Sequence, residues 1–291
     1  MTLNQNPTLT INVDLCNPGQ FFACCGLLEL AHRLSPLSQR AIGWFEAGSH
    51  KNSNFHIMAF TPEEKPITLQ FLTESIKECL MVNRGGDGKE GPFYLNEPFQ
   101  MWIDWRKAIP QNSMVKTWAG QQVLFKIAQS LQKAICTTVE EPYNKDLLNI
   151  FGPVKADDKK KDIAVTAFNI AKSENVIDAG FSADKLSDRI IMQPAIATEF
   201  LALIGLQRFC PTTGKQRLAR SFYAWHTPLP APIAAVAVFR PFSGIQHTAF
   251  TFQMYERDSE GRYKAFSIAK PIQGESNNDR ENNNKPIRLF D

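Results

Sequence analysis

Apolar and polar residues alternate through TLTINVDL, residues 8–15. Leu9, Ile11, Val13 and Leu15 fall on one side, Thr10, Asn12 and Asp14 on the other. A period of two belongs to a strand with one buried face. The pattern then changes. Asn17 has the side chain of an N-cap, Pro18 suits the first helical position, and Gln20 completes a capping-box pattern, so a helix starts here. Its first turns, QFFACCGLLEL, are apolar nearly all round, which requires burial on several sides. Gly26 inside such a helix costs about 1 kcal/mol relative to Ala. It marks a close backbone approach, expected to come from the sheet.

Two strand-like runs follow, AIGWFEAG (41–48) and NFHIMAF (54–60), joined by polar SHKNS as a hairpin. KPITLQFLTESIKECLMV (65–82) has a helical period through Ile67, Phe71, Ile76 and Leu80, and FQMWIDW (99–105) reads as a strand. Strand–helix–strand–strand–helix–strand is the ferredoxin-like βαββαβ plan. Residues 113–137 read as a long amphipathic helix. The charged, apolar-poor stretch FGPVKADDKKKD (151–162) marks a boundary. A second very apolar helix, TEFLALIGLQRF (198–209), precedes four strand-like runs, SFYAWHTP, IAAVAVFR, HTAFTFQMYER and RYKAFSIAK, spaced as an antiparallel meander. The expected fold is α+β. It has a ferredoxin-like domain over 1–112, a helical connector over 113–150, and a helix-plus-antiparallel-sheet domain over 151–272. A polar, Asn-rich flexible tail fills 273–291. The second apolar helix echoes the first, matching Phe21 with Phe200, Ala23 with Ala202, Gly26 with Gly205 and Leu27 with Leu206.

Composition adds little to this picture. With 291 residues and 43% hydrophobic content the chain is that of an ordinary globular protein. A net charge of +3 permits an anionic partner without demanding one. The first residues lack the basic and apolar regions of a signal peptide, and no stretch approaches a membrane span. A cytoplasmic protein without membrane contact is expected. The six cysteines include no C-x-x-C pair. Adjacent Cys24 and Cys25 fit disulfide geometry with each other poorly, so they read as small core hydrophobes.

No arrangement of residues identifies a catalytic, cofactor or metal site. The loop NRGGDGKEGPF (83–93) is glycine-rich, but Glu90 follows Lys89 where a Walker loop needs Ser or Thr. It reads as a surface loop or as a nucleic-acid contact through Arg84 and Lys89. The five histidines lie singly, without metal-ligand spacing. Basic residues bunch at Lys159–Lys161, which read as a solvated loop, and in RFCPTTGKQRLARSFYAW. The latter carries Arg208, Lys215, Arg217 and Arg220, followed by Tyr223 and Trp225. Basic and aromatic residues beside a strand suit a phosphate backbone and an unstacked base. Ordinary surface charge beside a half-buried strand is the plainer alternative. The candidate nucleic-acid-binding residues are therefore Arg84, Lys89, Arg208, Lys215, Arg217 and Arg220.

VDLCNPGQFFACCGLLELAHRL, then DAGFSADKL, then EFLALIGLQRFCP and SFYAWHTPLP occur in that order between Val13 and Pro230. In this order they resemble the large-subunit (Cas-eight-like, Csb-type) proteins of type I-G CRISPR surveillance complexes, formerly type I-U. The resemblance implies a non-catalytic subunit of an antiviral, RNA-guided, Cascade-type complex. Its partners would be CRISPR RNA, target DNA, backbone subunits and Cas-five/six-type proteins. It would sit near the 5′ end of the guide and help recognise the duplex motif beside the target. A helicase-nuclease recruited on target binding would cut. Two other classes stay open. One is a CRISPR repeat-RNA endonuclease of ferredoxin-like fold using a histidine such as His50 or His226. The other is a small-molecule enzyme with a deep polar pocket.

Overall fold

The computed structural model describes residues 6–83, 92–104, 123–138, 145–155, 166, 168–170, 193–214, 216, 218–256 and 264–272. Strand β1 (Leu9–Val13) buries Leu9, Ile11 and Val13, as its alternation requires. Helix α1 (Pro18–Leu34) starts at the Asn17 cap, whose side chain accepts the Gln20 N–H, and it is buried from Pro18 to Ala31. Strands β2 (Ile42–Phe45) and β3 (Ser53–Met58) form the hairpin, and β3 lies between β2 and β1. All these pairings are antiparallel, with Ile11 opposite Phe55 and Phe45 opposite Phe55 on the other side. Helix α2 (Leu69–Glu78) follows, capped by Thr68. Element order and pairing to this point are those of a ferredoxin-like start.

The strand expected to complete that plan pairs elsewhere. Strands β4 (Met81–Asn83), β5 (Phe93–Leu95) and β6 (Met101–Ile103) form a separate antiparallel sheet in that order. The outer edge of β1 meets a later segment, because the Asn12 N–H donates to the Lys145 carbonyl at 2.8 Å. The first sheet gains its fourth strand from far down the chain, where Leu229 and Pro230 pair with β2.

Helix α3 (Leu124–Thr138) covers the described part of the amphipathic run 113–137 and packs on α2. Helix α4 (Ile196–Gly205) is the second apolar helix, and every one of its residues is buried. After it come β7 (Thr212–Thr213), β8 (Ala219–Trp225), β9 (Leu229–Pro230), helix α5 (Ala231–Phe239), β10 (His247–Glu256), β11 (Lys264–Phe266) and β12 (Lys270–Pro271). Strands β11, β10, β8 and β7 lie side by side in an antiparallel sheet, with β12 also on β10. The molecule is thus mixed α/β with antiparallel sheets and five helices among the described residues.

IAAVAVFR, expected as a strand of the meander, is helix α5. Ala231, Ala234, Ala237 and Val238 are its buried residues, spaced at a helical period, and Ala is the strongest helix former. The short β-branched run suggested a strand, but its alanines let a helix lie flat against β8.

Helix α1 is central. Phe21 stacks on Phe45 of the first sheet at 5.0 Å and on Phe222 of the second at 4.1 Å. Burying such a ring contributes about 1.5–3 kcal/mol. Strand β9 pairs with β2, and the Trp225 indole N–H donates to the Gly43 carbonyl at 2.7 Å, so β8 is tied directly to the first sheet. The remaining face of α1 lies on α4. There the close backbone approach at Gly26 is made by a helix and not by the sheet. A Cβ on Gly26 would run into the Leu201 carbonyl oxygen, and one on Gly205 into that of Phe22.

The glycine-rich loop from Arg84 to Gly91, the lysines 159–161, the segment DAGFSADKL and the tail 273–291 lie outside the described residues.

Candidate functional site

Arg208, just beyond α4, holds the Glu29 carboxylate of α1 with Nε at 2.6 Å from Oε2 and an Nη2 bond of 3.1 Å to Oε1. Arg33 approaches from the same helix, with Nε at 2.7 Å from Oε1. Its Nη1 donates to the carbonyls of Phe99 and Gln100. Glu29 is fully buried, while Arg208 keeps 33% of its side chain exposed. The second guanidinium follows from the fold: a buried carboxylate is costly unless it is paired and hydrogen-bonded.

Arg220 stands on β8 and is only 3% exposed. Its Nη1 donates to the Ala219 carbonyl at 2.9 Å. Both described members of the basic set are thus turned to the protein's own framework. Arg84, Lys89, Lys215 and Arg217 lie outside the described residues.

The histidines and cysteines are also tied to packing. His226 places Nδ1 at 3.1 Å from the Phe45 carbonyl and Nε2 at 2.8 Å from the Thr248 hydroxyl. A carbonyl can only accept, so Nδ1 carries the proton and Nε2 accepts from Thr248. Burial lowers the His226 pKa, and the bond to Phe45 only partly opposes it. His50 sets its ring edge-on to Phe250 with centroids 5.4 Å apart. Cys24 and Cys25 are fully buried, and burial pushes both thiols well above their ordinary value. Among the described residues no group of three His, Cys, Asp or Glu side chains could hold a metal ion, and no helix is long and apolar enough to cross a membrane.

At the opposite end of α1 from Glu29 lies a groove of about 540 Å³. Four segments line it among the described residues: β1 with the cap of α1, the β2–β3 turn, residues 146–151, and residues 169–170. Asn17 and Gln20, 3% and 4% exposed, line it from α1. The Asn17 side-chain oxygen Oδ1 accepts from the backbone N–H of Gln20 and of Ile170, both at 3.4 Å. The Gln20 side chain accepts from the Asp14 N–H at 2.8 Å and donates to the Asn149 side-chain oxygen at 2.7 Å. Cross-strand neighbours Asn12 and Asn54 form one wall. Asn12 donates to Asp146 at 2.7 Å, and Asn54 to Glu46 at 2.5 Å. Lys51, Asn52 and Phe151, exposed residues all, complete the lining.

The side-chain amides of this groove supply donors and acceptors side by side without net charge. Asp14 is partly withdrawn from water, and burial raises its carboxyl pKa against the pull of the Cys16 N–H and of Lys51. Sequence reasoning missed the site. The signal available was the polar face of β1, where Asn12 and Asp14 precede Asn17, and the asparagines of the turn at 52 and 54. Nothing in the sequence joined these to Asn149 or Phe151.

Comparison of the chain with protein-family models, with curated proteins and with solved structures finds no match.

Proposed function

We propose that this protein is a non-catalytic subunit of a CRISPR RNA-guided DNA surveillance complex, of the large-subunit type that its motifs resemble. In this reading it works in the cytoplasm beside the guide RNA, the backbone and Cas-five/six-type subunits. It helps hold the 5′ end of the guide and recognise the duplex motif beside the target, before a helicase-nuclease is recruited. The observation that carries the nucleic-acid part is the amide-lined groove with Lys51 and Phe151 at its edge. Side-chain amides, one cation and an exposed aromatic ring are the groups that bind unpaired nucleotides.

A second feature suits a subunit of an assembly. On α5, Ile233, Val236 and Phe239 are 47%, 47% and 52% exposed at intervals of three residues. They form an apolar stripe of the kind covered in protein complexes.

Reconstitution tests the reading. The tagged chain is co-expressed with CRISPR RNA and the other subunits, and the complex is weighed by native mass spectrometry. Incorporation in fixed stoichiometry is expected. So is a loss of binding to motif-bearing target duplex when the chain is omitted. A guide complex that forms and binds target equally well without it would overturn the proposal. Cleavage of repeat RNA by the isolated protein would favour the endonuclease reading instead.

A further inference from the structure

We infer that the groove at the start of α1 is a pocket for one unpaired nucleotide, with the base stacked on Phe151 and its edge read by side-chain amides, the phosphates remaining outside. This deepens the nucleic-acid reading above and rests on it.

Charge excludes the phosphate as the buried group. Among the described residues the lining contains one cation, Lys51, and two carboxylates, Asp14 and Asp146. An anionic phosphodiester inserted among them would meet more negative than positive charge. An uncharged base would not, and the groove's other polar side chains, amides and the Ser53 hydroxyl, are uncharged too.

The Asn12, Asn54 and Asn149 amides are ordered in advance. Asn12 and Asn54 each use Nδ2 on a neighbouring carboxylate, which leaves their Oδ1 atoms as acceptors without a hydrogen bond among the described residues. Asn149 uses Oδ1 to accept from Gln20, which leaves its Nδ2 as a donor. The Asn52 side chain makes no hydrogen bond among the described residues and can supply either. A nucleobase edge presents donors and acceptors side by side, and this set complements it. Lining residues that are already held lose little freedom on binding.

Phe151 supplies the remaining surface. It is 42% exposed beside a polar groove. Its backbone is fixed by an antiparallel bridge to Ala195, so the ring stands on a rigid support. Every base has a π-face, which makes such a ring a platform of broad tolerance. The volume of about 540 Å³ lies within the range of roughly 300–1,000 Å³ typical of small-ligand sites.

The nucleotide could belong to RNA or to a displaced DNA strand, so the test uses both. The full chain is titrated with short fluorescein-labelled oligouridylate and with oligothymidylate, and anisotropy is followed across a range of salt. Phe151→Ala is expected to weaken binding roughly 5- to 150-fold while leaving the salt slope unchanged. Lys51→Ala is expected to lower the slope by up to about 0.7, the value of one phosphate contact on a single strand. Tighter binding of oligouridylate assigns the pocket to RNA, and tighter binding of oligothymidylate to DNA. Iodouracil-substituted strands should crosslink within residues 149–151, read by mass spectrometry of the unsubstituted protein, a result independent of any variant's folding. The inference is overturned if both strands bind with wild-type affinity to Phe151→Ala and crosslink elsewhere; incorporation into the guide complex would then still stand. Absence of binding to either strand, together with failure to enter the complex, would overturn the underlying reading as well.

Discussion

Gly26 of α1 and Gly205 of α4 pack backbone to backbone: a Cβ on Gly205 would come within 2.8 Å of the Gly26 nitrogen. The two helices therefore touch through their main chains, in the middle of one continuous core. In an isolated helix, Gly→Ala would gain about 1 kcal/mol. Here the added methyl meets a carbonyl oxygen that belongs to a helix and cannot swing away. Gly26→Ala and Gly205→Ala are each expected to destabilise by roughly 1–3 kcal/mol or more. Thermal melting checks this, at roughly 2–4 °C lost per kcal/mol. The double variant should cost less than the sum, because either methyl alone pushes the helices apart. An unchanged melting temperature for both single variants would mean that the helices do not touch there.

Removing the Arg208 side chain strips Glu29 of one of its two cations. A fully buried carboxylate left short of a partner costs about 3–5 kcal/mol. Arg33 remains and Arg208 is 33% exposed, so roughly 1–3 kcal/mol is expected for Arg208→Ala. Urea titration measures it. Arg208→Lys should recover only part of the loss, since an ammonium cannot hold both carboxylate oxygens in a planar fork. Equal stability of Arg208→Ala and the parent protein would show that the pair contributes nothing.

Acid should weaken the fold through histidine. Burial lowers His226, His32 and His56 below the ordinary value of 6.5. The unfolded chain then binds more protons than the native one near and below that pH, so stability rises with pH across this window. It is fully present above about 6.5 and is lost as pH falls through the lowered native values. Protonating His226 would also put an N–H where Nε2 now accepts from Thr248. Melting temperatures between pH 5 and 7 should therefore climb, and His226→Gln should climb less steeply. A parallel curve for that variant would place the dependence on the other two. Asp14 works in the opposite sense at lower pH. Its raised native value makes stability fall as pH rises from its ordinary 3.8 through that value.

Glu199 anchors one wall of the groove. Fully buried in the first turn of α4, it accepts the Phe168 N–H at 3.1 and 3.0 Å and the Asn169 N–H at 3.0 Å. Glu199→Gln turns one acceptor into an NH2 facing those donors. It should cost about 1–3 kcal/mol. The specific readout is hydrogen exchange, with protection lost at the amides of 168–170 before those of α4. Uniform loss across the protein would mean that the carboxylate acts on the whole core and not on that wall.

What could be read from the sequence was whatever neighbouring residues decide. The alternation of β1, the Asn17 cap, the hairpin of 42–58 and the burial of both apolar helices depend on contacts within a few positions or on a simple count of apolar faces. Gly26 announced a close approach for the same reason, since only a missing side chain explains glycine in so apolar a helix. Its partner could not be read, because α4 begins 170 positions further on, at Ile196. Helix α5 turned on tertiary packing: a short Ala- and Val-rich run suits either period, and the space beside β8 accepted a helix. Met101–Ile103 likewise pairs with β5, while the edge of β1 is met by Lys145, a choice made by which chain segment reaches that edge. The groove is the extreme case. Asn12, Asn54, Asn149 and Phe151 are unremarkable where they stand in the sequence, and the fold alone brings them to one cavity, because hydrogen bonds such as Gln20 to Asn149 act through space and leave no local pattern behind.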